Sequence, residues 1–114
     1  MTPLWSYTTH RDDDGSTVIV LTGELDLYCA DALRVLLRDL LETGENVRLV
    51  ADLCSVSFLD SAALGALITA FQHAQRRGGR FTVVNSTHAV RRILEIAGML
   101  EILSPPRSDA ETQR

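Results

Sequence analysis

The sequence is poor in cysteine: Cys29 and Cys54 stand alone among 114 residues, with no CxxC spacing. Two isolated thiols more often mean reduced, partly buried residues than a disulfide framework or a zinc site. Positive charge is also short. Eleven basic residues face fifteen acidic ones, for a formal net charge of −4 and a pI near 5.2. Without a basic surplus to neutralise phosphates, neither direct nucleic-acid binding nor docking on an anionic membrane is expected. No long apolar run exists. The most apolar stretch, residues 62–71, falls far short of the roughly 20 residues that a membrane-spanning helix needs. Met1-Thr2-Pro3-Leu4-Trp5 lacks the basic start and apolar stretch of a signal peptide, so a cytoplasmic location is expected.

Signatures of catalysis are missing as well. There is no GxSxG around Ser61, no Walker A segment and no GxGxxG fingerprint. His10, His73 and His88 are scattered without ligand-like spacing. No arginine follows Cys54 closely enough to build a cysteine-phosphatase loop. The acidic triplet Asp12-Asp13-Asp14 lacks the later glutamate of a calcium loop and reads as a solvated turn. Neither an enzyme nor a bound metal or cofactor is expected.

What remains is ordinary for a soluble domain: 46% hydrophobic and 23% charged residues, in a length that suits one core. Residues 1–104 read as a single domain, and residues 105–114, with Pro105-Pro106, as a flexible tail. Residues 4–9 and 17–22 read as two strands joined across an Asp/Gly turn, hence a hairpin. Gly23-Glu24-Leu25-Asp26 breaks the second strand. A helix follows, with Ala30, Leu33, Leu36, Leu37, Leu40 and Leu41 on one face and Gly44 at its C-cap. Residues 47–53 read as a buried strand, and residues 61–77 as the central helix, ended by Gly78-Gly79. A strand at 81–84 precedes a third helix capped by Ser86 or Thr87, with Val90, Ile93, Leu94 and Ala97 inward and Gly98 at its end. Residues 99–103 would add a short edge strand. The order β-β-α-β-α-β-α-(β) predicts an α/β fold with a mixed sheet of four to five strands, parallel where helices connect them.

The informative stretch is Phe58-Leu59-Asp60-Ser61-Ala62-Ala63-Leu64-Gly65. Asp60 and Ser61 fall where a loop becomes a helix, and both suit a helix N-terminus, where a side-chain oxygen accepts an orphaned backbone N–H. On physics alone Ser61 is either such a cap, worth about 1 kcal/mol, or a phosphoacceptor. Phosphate would add about −1.5 to −2 charges there. The positive end of the helix dipole could hold them without unfolding the helix, while Asp60 and any acidic partner surface would repel them.

This stretch resembles the central Asp-Ser-Ser-Gly-Leu-Gly motif of the STAS family, in particular the small bacterial anti-sigma factor antagonists. Leu21-Thr22-Gly23-Glu24-Leu25-Asp26 is similar to the family's early strand-to-loop motif, and Gly78-Gly79, residues 90–94 and Ala97-Gly98-Met99-Leu100 to its C-terminal half. The resemblance implies a STAS-type fold and a partner-switching role. The unphosphorylated antagonist binds an anti-sigma factor that is also a serine kinase, which frees a sigma factor. The kinase then phosphorylates the serine matched here by Ser61, and a metal-dependent serine phosphatase reverses the step. Gly23, Glu24 and Asp26 match the early loop of the docking surface, joined by Asp60, Ser61, Ala62 and Leu64. A weak homodimer is compatible with the resemblance. So is a second role, a constitutive STAS adaptor subunit in a lipid-transport or stressosome-like complex. Ala62 and Ala63 replace the motif's second serine and glycine, which makes the first helical turn stiffer.

Overall fold

In a computed structural model, residues 4–105 are described; of the expected tail only Pro105 falls among them. The chain runs β1 (Trp5–Arg11), β2 (Thr17–Leu25), α1 (Leu27–Leu41), β3 (Arg48–Leu59), α2 (Ser61–Arg76), β4 (Arg80–Val84), α3 (His88–Ile96) and α4 (Leu100–Leu103). The four strands form one sheet in sequence order. β1 and β2 pair antiparallel, while β2–β3 and β3–β4 pair parallel. Parallel neighbours must be joined by crossovers, and α1 and α2 supply them.

The hairpin turn is built by its acidic residues. Asp14 Oδ1 accepts the Ser16 N–H at 2.9 Å and the Ser16 hydroxyl at 2.6 Å, and Gly15 N–H donates to the Asp12 carbonyl at 3.0 Å. These bonds to the ionised form hold the Asp14 carboxyl below the usual carboxylate range.

Alternation along the strands sends Ile19, Leu21 and Leu25 of β2, Leu49, Ala51 and Leu53 of β3, and Phe81 and Val83 of β4 into the core. Leu33, Leu37 and Leu41 of α1 meet them. The buried stripe of α2 is mostly alanine, with Ala63, Ala66, Ala70 and Ala74 beside Leu64 and Leu67. Small side chains let α1 and α2 lie close together above the sheet.

Several boundaries differ from the sequence expectations. β2 does not break at Gly23 but continues to Leu25 through shifts in its register against β3. Gly23 adopts φ +100°, and a Cβ there would lie 2.0 Å from the Leu4 carbonyl oxygen, which accepts the Glu24 N–H at 3.0 Å. The glycine therefore marks a close backbone approach inside a strand rather than a strand end. β3 extends to Leu59, so Phe58 and Leu59 are strand residues. α1 ends at Leu41 with Glu42 as its C-cap, before Gly44, and the Thr43 hydroxyl donates to the Leu40 carbonyl at 2.9 Å in the last turn.

The cap of α3 is Thr87, whose hydroxyl accepts the Val90 N–H; Val90 and Leu94 are buried, but Ala97 is exposed. Residues 99–103 add no fifth strand. Leu103 N–H donates to the Met99 carbonyl at 2.9 Å, closing a helical turn. Met99, Leu100 and Leu103 then share an inward face at i, i+1 and i+4, which a strand would have split between two faces.

Candidate functional site: two helix starts tied together

Parallel pairing of β2 with β3 places their carboxyl ends side by side, with Glu24 opposite Phe58 and Leu25 opposite Leu59. α1 and α2 therefore begin next to each other. In open α/β sheets this end of the strands is the usual place for a binding site.

Asp60 holds the arrangement. Its backbone N–H donates to the Leu25 carbonyl at 3.1 Å. One carboxylate oxygen accepts the Ala63 N–H at 3.0 Å and caps α2; the other accepts the Leu27 N–H at 2.9 Å, at the start of α1. A single side chain thus satisfies an orphaned donor from each helix. Asp26 caps α1 and accepts the Tyr28 N–H at 3.0 Å, while its own N–H donates to Cys29 Sγ at 3.3 Å. The Cys29 thiol is 3% exposed. Burial, helped by the charges of Asp26 and Asp60, pushes its pKa up, so it stays a neutral thiol at physiological pH. Cys54 is free and exposed.

Ser61 is not the cap. Asp60 takes that role, and Ser61 occupies the first helical position, exposed, beside half-buried Ala62. The structure brings Gly23, Glu24, Asp26 and Asp60 to this end. Glu24 is exposed, and Gly23 accepts a 3.4 Å bond from the Ser57 hydroxyl through its carbonyl. Leu64, expected on the docking surface, turns inward with 7% exposure and packs in the core.

Three apolar residues at this end were not among the expected docking residues: Leu27, Tyr28 and Phe58 are 67%, 93% and 46% exposed. Leu27 and Tyr28 open α1 beside the Asp60 bond, and Phe58 lies two residues before it. For Leu27 and Tyr28 the signal in the sequence was apolar side chains directly after the cap Asp26, off the buried face of α1. A hollow of ≈ 290 Å³ adjoins Tyr28, lined also by Leu4, Trp5, Glu24, Asp26 and Cys29. A larger one, ≈ 500 Å³, lies apart between Trp5 and Tyr7 of the edge strand and α1. Among the described residues no group of His, Cys, Asp and Glu could hold a metal ion, and no helix is long and apolar enough to cross a membrane.

This end of the molecule thus gathers exposed apolar and acidic residues around the exposed Ser61. Residues 7–112 match the STAS domain, and the chain belongs to that family. It is similar to the anti-sigma-B factor antagonist of Bacillus subtilis (strain 168), 29% identical over 93 residues, which cover 82% of this chain and 84% of that protein. Among solved structures it resembles an anti-sigma factor antagonist from Mycobacterium paratuberculosis, with TM-score 0.75, 29% identity and coverage of 96% and 92% of the two chains. The fold is also that of the Bacillus cell fate determinant SpoIIAA in its phosphorylated form, with TM-score 0.68, 18% identity and coverage of 95% and 96%.

Proposed function

We propose that this chain is an anti-sigma factor antagonist: a non-catalytic, cytoplasmic binding module, residues 1–104, that docks on an anti-sigma factor through the paired helix starts and so frees a sigma factor. The observation that carries the reading is Ser61, exposed at the first position of α2 while Asp60 makes the cap. A serine relieved of the capping bond has its hydroxyl available for chemistry, and its modification leaves the cap intact.

The partner is itself a serine kinase. The Ser61 hydroxyl attacks the γ-phosphoryl of ATP, an Oγ–P bond forms as the bond to ADP breaks, and the hydroxyl proton passes to a base of the kinase. The new charge, about −1.5 to −2, sits beside Asp60 in the middle of the docking surface and ends the complex by repulsion and desolvation. A metal-dependent serine phosphatase returns the active form. Gly23, Glu24, Asp26, Ala62, Leu27, Tyr28 and Phe58 form the rest of the surface, its exposed apolar groups supplying the contact area that survives desolvation best.

The test is reconstitution with the cognate anti-sigma factor and ATP. Mass spectrometry should place one phosphate on Ser61. Ser61→Ala should bind the partner as the wild type does, and Ser61→Asp should bind at least tenfold more weakly, a loss of about 1.4 kcal/mol. An aspartate variant that binds as tightly as the wild type would remove the charge switch.

A further inference from the structure

We infer that Arg34 of α1 receives the phosphate carried by Ser61, giving the modified state a fixed electrostatic partner within the same chain. This rests on the reading of Ser61 as phosphoacceptor. Ser61 and Gly65 are four residues apart on α2, so they share a face with side-chain origins about 5–6 Å apart. Gly65 has no side chain, and the Arg34 guanidinium lies against the helix there: Nη2 is 3.9 Å from where a Cβ of residue 65 would be. The guanidinium therefore sits within about 10 Å of the Ser61 Cβ, even if it lies on the far side of Gly65.

Its direction points the same way. Helical side chains lean toward the N-terminus of their helix. Arg34 does so, since Nη1 meets Asp31 Oδ1 at 2.7 Å, one turn earlier in α1. That is the end at which α1 and α2 are tied by the Asp60–Leu27 bond. A phosphate projecting from Ser61 and a swing of the long arginine side chain would close the gap to a charge-assisted bond of about 2.8 Å.

The present partner gives way easily. The Asp31 side chain is fully exposed and that of Arg34 39% exposed, which makes theirs a solvent-screened surface pair. A phosphate offers more charge and three acceptor oxygens to the planar, bidentate guanidinium. The modified site needs such a cation. Asp60 adjoins Ser61, and Asp26 stands at the start of the neighbouring helix, both in use as caps. Glu24 is exposed on the adjacent strand end. Arg34 offsets this acidic surround, so the phosphorylated chain stays folded while its docking surface is repelled.

The experiment uses the full chain with phosphoserine encoded genetically at position 61, so it needs no kinase. ³¹P NMR follows the second ionisation of the phosphate with pH in the parent, Arg34→Gln, Arg34→Lys and Asp31→Asn. Loss of a cation that contacts the dianion should raise the proton-binding constant of the phosphate about threefold or more in Arg34→Gln. Arg34→Lys should fall between that and the parent, and Asp31→Asn should bind protons no more tightly than the parent. An Arg34→Gln phosphate that titrates with the parent, in a variant whose unmodified form melts with the unmodified parent, overturns the inference. If the kinase instead modifies another residue, the proposed function fails while this titration still reports on Arg34.

Discussion

The two ends of α2 are both fastened to α1, but by opposite means. At the N-terminal end one carboxylate, Asp60, takes a backbone N–H from each helix, at 3.0 and 2.9 Å. At the C-terminal end the fastening is between side chains and around glycine. His73 Nε2 lies 2.8 Å from Glu42 Oε2, and Arg77 Nη2 donates to the Gly44 carbonyl at 3.3 Å. Gly78 N–H donates to the Gln75 carbonyl and Gly79 N–H to that of Ala74, a Schellman closure with Gly78 at φ +74°. A Cβ on Gly79 would lie 2.4 Å from the Val47 carbonyl oxygen. The C-terminal end is thus closed by its backbone, with Gly79 against the Val47 carbonyl while Gln75 to Gly78 stay exposed. The other is held from beneath and leaves its first helical residue exposed. At the N-terminal end the tie is made by Asp60 and not by Ser61, so a group added to Ser61 leaves it in place.

The largest effect that would sharpen this contrast is at the closed end. Gly79→Ala forces a methyl group into the backbone of residue 47 and should cost about 3 kcal/mol in urea unfolding, yet leave partner affinity per folded molecule unchanged. Asp60→Ala should cost about 2 kcal/mol, since it removes the α2 cap and orphans the Leu27 N–H. Unlike Gly79→Ala, it should also weaken partner binding, because the two helix starts lose their tie. Equal binding by both variants would break the comparison. Removal of the Glu42–His73 pair by Glu42→Gln should cost under about 1 kcal/mol, as a half-exposed pair does.

The smallest effect is a pH dependence. The buried Cys29 thiol has a folded pKa raised above its unfolded value. Its contribution to stability is complete below the unfolded pKa and is lost as pH rises through the folded one, because the unfolded chain releases the proton first. Cys29→Ala should flatten the alkaline fall in stability. Alkylation at neutral pH should label exposed Cys54 and reach Cys29 only on unfolding.

Much of this contrast was legible in the sequence. The Schellman end of α2 was written in Gly78-Gly79, and the hairpin in its Asp/Gly turn. Strand and helix order followed from apolar spacing, because each period of burial leaves its own pattern. Two of the misreadings share a cause: local signs overruled by long-range contacts. Gly23 looked like a strand end because its partner, the Leu4 carbonyl, is nineteen positions away. Ser61 and Asp60 are equal candidates for a cap by composition. What separates them is the Leu27 N–H, which only the parallel pairing of β2 and β3 brings within reach of an aspartate. Met99 to Leu103 was too short to show its period before α3 was in place. The exposed Leu27, Tyr28 and Phe58 carry no periodic signal at all.

The Asp60–Leu27 bond also ties the surface to the finished fold. It joins residues 33 apart in the chain, and neighbouring parallel strands can pair only after the segment between them has found its place. Contacts of such long span cost loop-closure entropy, which local contacts alone do not repay. The surface around Ser61 therefore exists only once β2 and β3 have paired. A short peptide copying residues 57–65 holds the right letters but not the surface, so a partner that reads the surface distinguishes a finished molecule from a nascent or unravelled one.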